Sequence, residues 1–126
     1  MMARILITED DVAVRTFVSR ALQLDGHEIV TAEDGEEALL TLESEGGCFD
    51  LLLTDVKMPI MDGIALTHRA ARAWPNLPIL IMTGYADQRE RAVGLEKIVR
   101  NIVTKPFSLA DIRTAVSGAL SDRIAA

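Results

Sequence analysis

Short apolar runs recur along the chain: RILI (4–7), EIVTA (28–32), DLLLT (50–54), PILIM (78–82) and NIVT (101–104). Between them the apolar residues switch to a helical period. In residues 11–25, Val14, Phe17, Val18, Ala21 and Leu22 follow i, i+3, i+4, i+7, i+8 spacing, and Gly26 supplies a stop. Residues 35–45 place Ala38, Leu39 and Leu42 on one face, and residues 62–74 place Leu66, Ala70 and Trp74. Residues 108–121 open with Ser108 as N-cap and Asp111 three positions on, a weak form of the capping box. They then turn Leu109, Ile112, Val116, Ala119 and Leu120 inward. The segment 86–98, ADQRERAVGLEKI, is the weakest expected helix, with a thin apolar stripe that Gly94 interrupts.

Strand and helix therefore alternate five times. Right-handed crossovers then give an α/β fold, a doubly wound five-stranded parallel sheet with five helices on its two faces. The near-continuous apolar strands 50–53 and 79–82 belong in central positions, buried on both sides.

Composition narrows the function. The 126 residues suffice for one domain, 1–126, and leave no room for a second folded output domain. A net charge of −6 and a pI near 4.8 argue against nucleic acid as a direct partner. No apolar run approaches the ~20 residues needed to cross a bilayer, and MMARILITEDD lacks the apolar length of a signal peptide. The lone Cys48 excludes an internal disulfide, so a reducing cytoplasm is the expected setting. His27 and His68 share no metal-like spacing and read as structural or solvated.

In an open parallel sheet the functional crevice lies outside the carboxyl ends of the strands. The first run ends in Thr8-Glu9-Asp10-Asp11, the third in Thr54-Asp55, the fourth in Thr83-Gly84 and the fifth in Thr104-Lys105-Pro106. Taken singly, Asp11 reads as a helix cap, Thr83 as a loop hydroxyl and Lys105 as a solvated lysine. Asp55 is either a cap or a site residue. Together they converge on one edge. Two bare carboxylates ~4 Å apart repel by roughly 4 kcal/mol at an effective dielectric of 20, so such a cluster wants a cation. Oxygen ligands without His or Cys suit a hard divalent ion, Mg²⁺ more than Ca²⁺. Acids, a metal, a lysine and a hydroxyl together describe phosphoryl transfer.

The motifs ILITEDD, LLLTDVKMPIMDG, ILIMTG and VTKPF, in this order and spacing, resemble the receiver domain of bacterial two-component response regulators, the CheY-like fold. The resemblance covers roughly residues 3–121. It implies strand order 2-1-3-4-5 and a signalling receiver, not an enzyme, that assists only its own phosphorylation and dephosphorylation. Asp55 would be the phosphoryl acceptor. Asp10 would bind Mg²⁺ directly and Glu9 mainly through water, with Asp55 and the Lys57 backbone carbonyl as further ligands. Thr83 and Lys105 would hold the phosphoryl group, and Lys105-Pro106 would be a cis peptide. The phosphoryl donor would be a histidine kinase or a histidine phosphotransferase. Two departures stand out: Gly84 replaces the usual small alanine, and Ile102 occupies a switch position that is often aromatic.

Single-domain length, Ile102 and the terminal Ala125-Ala126 resemble the CpdR group, whose members work with the ClpXP protease. A phosphorelay shuttle or a motor-type regulator would share every site residue. A receiver that only binds a partner is disfavoured by the complete residue set. A haloacid-dehalogenase-type phosphatase is disfavoured too, because its second acid would stand where Lys57 does. Neither a dinucleotide fingerprint nor a P-loop is present. The expected partner surface comprises the fourth helix, fifth strand and fifth helix, with Arg89, Arg91, Lys97 and Arg100 among Asp87, Glu90 and Glu96.

Overall fold

The computed structural model describes residues 2–84, 94–95 and 97–125, with side chains through Ser121. Five strands, β1 (Arg4–Thr8), β2 (Glu28–Ala32), β3 (Leu51–Asp55), β4 (Ile79–Thr83) and β5 (Asn101–Thr104), form one parallel sheet in the order β2-β1-β3-β4-β5. β3 and β4 are buried at every residue, as their unbroken apolar sequences require, while the edge strands β2 and β5 are buried only in part.

The described residues form four helices: α1 (Val12–Leu24), α2 (Gly35–Ser44), α3 (Gly63–Ala73) and α4 (Leu109–Ala125). The helix expected over 86–98 falls mostly outside the described residues. So do Asp87, Arg89, Glu90, Arg91, Glu96 and Ala126 of the expected partner surface and tail. The end of that segment is a turn in which the Ile98 and Val99 amides both donate to the Leu95 carbonyl. Leu95 and Val99 are buried in the core, so this end of the segment is better anchored than its thin stripe suggested.

Each of these helices starts on a polar cap. The side chains of Asp11, Asp34 and Asp62 accept from the amides of Val14, Glu37 and Ala65 at 3.1, 2.8 and 2.9 Å. Ser108 and Asp111 form the reciprocal capping box, each amide donating to the other's side chain at 3.0 Å. Each cap contributes about 1 kcal/mol and fixes where the chain leaves the strand end.

Strand alternation divides the core. Ile5, Ile7, Leu53, Leu80 and Met82 face α1 and α4, whereas Leu6, Leu52, Ile79 and Ile81 face α2 and α3. Each fully buried Leu or Ile contributes roughly 1.5–3 kcal/mol, which makes the sheet the rigid platform for its carboxyl edge. Three apolar positions depart from expectation. Leu109 and Phe17 are exposed, at 37% and 41%. Leu109 stands in the first turn of α4, before the stripe of Ile112, Val116 and Ala119 reaches the sheet. Phe17 sits at 6.4 Å from the Phe107 ring instead of entering the core. Trp74 caps the end of α3 and is only half-buried, with its indole so close to Gly47 that a β-carbon there would lie 2.3 Å away.

His27 is structural: its Nδ1 accepts the Ala3 amide at 3.0 Å. Burial lowers its pKa below the usual 6.5, against the opposing pull of Asp25 and Asp50. The unfolded chain therefore takes up the proton first as pH falls through about 6.5, so His27 contributes full stability above that pH and loses it below. His27→Asn keeps an acceptor but cannot titrate. The stability advantage of wild type over this variant should shrink between about pH 7.5 and about pH 5 in urea unfolding. A difference that does not vary with pH would exclude the assignment.

Candidate functional site

Parallel pairing sets the strand ends side by side. Thr8 is in register with Thr54, Asp55 with Met82 and Thr83 with Thr104. The residues just past these ends are thus gathered at one edge, where Glu9, Asp10, Asp11, Asp55, Lys57, Gly84 and Lys105 line one cleft.

Carboxylate oxygens of Glu9, Asp10 and Asp55 lie within 4.8 Å of one another. Glu9 and Asp55 are buried, while Asp10 is exposed. Lys105 reaches across from the end of β5, its Nζ 2.8 Å from Glu9 Oε1 and 3.2 Å from Asp55 Oδ1. The Val56 amide donates to Asp55 Oδ1 at 2.9 Å, and the Asp11 amide donates to Glu9 Oε2 at 3.2 Å. One ammonium thus serves two buried carboxylates.

The protonation equilibria reflect this imbalance. Burial pushes the Glu9 carboxyl up; the Lys105 hydrogen bond opposes the rise and the Asp55 charge adds to it. Asp10 is also raised, by partial desolvation first and then by Glu9. Burial alone would lower Lys105, but the hydrogen bond to Glu9 and the charge of Asp55 outweigh it and hold the ammonium above its ordinary value. A cationic Lys105 is therefore secure, and the three acids remain under-neutralised.

Thr83 ends β4 fully buried, and its Oγ1 has no hydrogen-bond partner among the described residues. Thr54 Oγ1 donates to the Asp55 carbonyl at 2.9 Å. Lys105-Pro106 is a cis peptide, as expected. Ile102 is half-buried against the core on the α2–α3 side. The structure brings Glu9, Asp10, Asp55 and Lys105 into contact range and places Lys57 at the rim. Asp11 is the α1 cap.

Two residues had drawn no attention, or too little. Arg15, in the first turn of α1, donates from Nη1 to the Glu9 carbonyl at 2.8 Å. Nothing in the local pattern marks it beyond a cation following an acidic run. Gly63 was visible as part of a loop signature, but its tight approach to the Asp55 backbone was not. A β-carbon there would lie 1.8 Å from the Asp55 carbonyl oxygen.

The family model described as response regulator receiver domain matches residues 5–117. The chain belongs to this family. It is 32% identical over 120 residues to the alkaline phosphatase synthesis transcriptional regulatory protein PhoP of Bacillus subtilis, covering 95% of this chain and 49% of that protein. It is 36% identical over 112 residues to the response regulator MprA of Mycobacterium tuberculosis, covering 89% of this chain and 48% of that protein. The receiver thus spans about half the length of these curated relatives. The crystal structure of a CheY-like receiver domain protein from Methanospirillum hungatei superposes with a TM-score of 0.89 at 27% identity, covering 99% of this chain and 98% of that one. Receiver domains are signalling domains that bind Mg²⁺ at an acidic pocket and interact with histidine kinases or phosphotransferases. Among the described residues, no helix is long and apolar enough to cross a membrane.

Proposed function

We propose that this receiver, a single unit over 1–126, takes a phosphoryl group onto Asp55 from the phosphohistidine of a kinase or phosphotransferase, and so changes its binding to a protein partner. The observation that carries the reading is the environment of Asp55. It is a buried carboxylate with a lysine at 3.2 Å and two further acids within 4.8 Å. An Asp55 oxygen forms the new P–O bond while the donor's P–N bond breaks, and the imidazole leaves with the bonding pair. The Val56 amide and Lys105 both engage Oδ1, so Oδ2 is the attacking oxygen on this reading.

The donor set, carboxylates without His or Cys, fits Mg²⁺. Asp10, Asp55 and the Lys57 carbonyl would hold it. Glu9, with both oxygens already engaged by Lys105 and the Asp11 amide, would act through water. The ion supplies positive charge against the acids and the incoming phosphoryl oxygens. Lys105 would shift from its carboxylates to those oxygens, and Thr83 Oγ1, buried and without a partner among the described residues, would gain one there.

The downstream partner on this reading is a protein in the cytoplasm, with ClpXP-linked proteolysis the specific case that the aliphatic Ile102 favours. With an isoleucine there, the signal cannot be relayed by turning an aromatic ring inward. Acetyl phosphate with Mg²⁺ should raise the intact mass by one phosphoryl group, and a chelator should prevent it. A wild-type protein that stays unlabelled by acetyl phosphate and by a phosphorylated histidine phosphotransferase would overturn the proposal.

A further inference from the structure

Glu9 and Asp10 occupy the turn between β1 and α1, where the sheet no longer holds both sides of the backbone. The Glu9 amide still finds the Ala32 carbonyl at 3.1 Å, which extends the β1–β2 pairing by one bond. The Glu9 carbonyl is taken instead by Arg15, whose Nη1 donates to it at 2.8 Å. The other guanidinium nitrogen, Nη2, lies 3.7 Å from Glu33 Oε1 at the start of the β2–α2 connection. The side chain is mostly buried, at 15% exposure, whereas Glu33 is 69% exposed. The ion pair with Glu33 is therefore screened and weak, and the bond to the Glu9 carbonyl is the part that structures the turn.

That carbonyl belongs to the peptide plane joining Glu9 to Asp10. Fixing its oxygen fixes the rotation of the plane, and with it the directions in which the two acids leave the backbone. Glu9 has further anchors in Lys105 and the Asp11 amide. Asp10 is exposed, so its aim depends most on the backbone beneath it. Arg15 itself is set by α1: its amide donates to the Asp11 carbonyl at 2.9 Å, in the turn that Asp11 caps.

We infer that Arg15 is a positioning residue for the divalent-cation pocket, acting through the Glu9–Asp10 peptide. This rests on the proposed role of that pocket. Charge and geometry make opposite demands here, which gives the inference a sharp test. If Arg15 mattered only as a charge, removing a cation near the acids would tighten binding of a divalent cation. If it positions the turn, removing it weakens binding, because groups that orient metal ligands typically cost about 10–100-fold in affinity when lost.

The experiment is an Mg²⁺ titration followed by the amide NMR shifts of residues 9–11, on the full chain. Wild type is compared with Arg15→Ala, Arg15→Lys and Glu33→Gln. The expected results are affinity at least about ten-fold weaker in Arg15→Ala, partial recovery in Arg15→Lys, which retains one donor, and no change in Glu33→Gln. Metal-free melting and the dispersed amide spectrum check that each variant is folded. Arg15→Lys serves where the alanine variant is not. Equal or tighter Mg²⁺ binding in the folded variants, with wild type binding normally, overturns the positioning role and leaves the pocket intact. Absence of Mg²⁺ binding in wild type itself overturns the reading of the pocket.

Discussion

Asp55→Asn should take up no phosphoryl group from acetyl phosphate, and should be more stable than wild type in metal-free buffer. The first half follows from the chemistry: an amide oxygen is a poor nucleophile and would not yield a stable acyl phosphate. The second half follows from the charge balance. Asp55 is attracted by one lysine at 3.2 Å and repelled by two carboxylates within 4.8 Å. At an effective dielectric of 20 the repulsions exceed the attraction by about 1–2 kcal/mol, and exposure of Asp10 trims that to about 1 kcal/mol. Asparagine keeps an oxygen for the Val56 amide and removes the charge. A gain of about 1 kcal/mol corresponds to a melting temperature about 3–5 °C higher at this chain length. Added Mg²⁺ should then stabilise the variant much less than wild type, because the metal has lost one acid. The combination separates loss of the acceptor from loss of the fold. Intact mass after acetyl phosphate treatment and calorimetry with and without Mg²⁺ test both halves. Normal labelling of the variant would refute Asp55 as acceptor, and a lower metal-free melting temperature would refute the charge balance.

The second large effect is expected at Gly63. Its amide donates to the Val56 carbonyl at 2.8 Å, which draws the start of α3 against the end of β3. A β-carbon would sit 1.8 Å from the Asp55 carbonyl oxygen, 2.8 Å from its carbonyl carbon and 3.1 Å from Val56 Cα. These are backbone atoms at and just past the end of a central strand, so no flexible side chain is there to step aside. Gly63→Ala should therefore cost about 3 kcal/mol, at the upper end for overpacking, and move the Asp55 backbone. A displacement near 1 Å at a reacting group costs about 10²-fold in rate, so labelling by acetyl phosphate should slow by that order. Gly118 provides the internal contrast. It lies on an exposed face of α4 with nothing within 4 Å of an added β-carbon, and alanine there should stabilise by up to about 1 kcal/mol. Urea unfolding of the two variants should shift in opposite directions. A Gly63→Ala protein with wild-type stability and labelling would show that the loop can relax in a way the contacts do not suggest.

Most of the sheet was legible in the amino-acid pattern because buried parallel strands leave unmistakable runs such as LLLT and ILIM. Reading the residues just past each run was enough to gather Glu9, Asp10, Asp55 and Lys105, since parallel strands all end on the same side. What lay beyond that reading was pairing at a distance. Lys105 and Glu9 are 96 positions apart, and in the order β1-β3-β4-β5 the lysine reaches past the end of β3 to the acid that follows β1. The Arg15 contact escaped notice because an arginine on an amphipathic helix reads as solvated until its reach toward a carbonyl is seen. Leu109 was misplaced because helical spacing gives a face and not the point along the helix where that face meets the sheet.

Thr83 has a consequence that concerns direction. A buried hydroxyl without a partner costs about 1–3 kcal/mol, and this one, which has none among the described residues, ends a strand that is buried at every position. If Thr83 binds the phosphoryl group as proposed, part of the local frustration is thus lodged in the unphosphorylated form. Any arrangement that brings an acceptor to Oγ1 is downhill by that amount before other contacts are counted, and withdrawing the acceptor restores the original tension. On the proposed role of Thr83, an inward move of this strand end would be a relaxation, and its reversal would need no separate restoring spring.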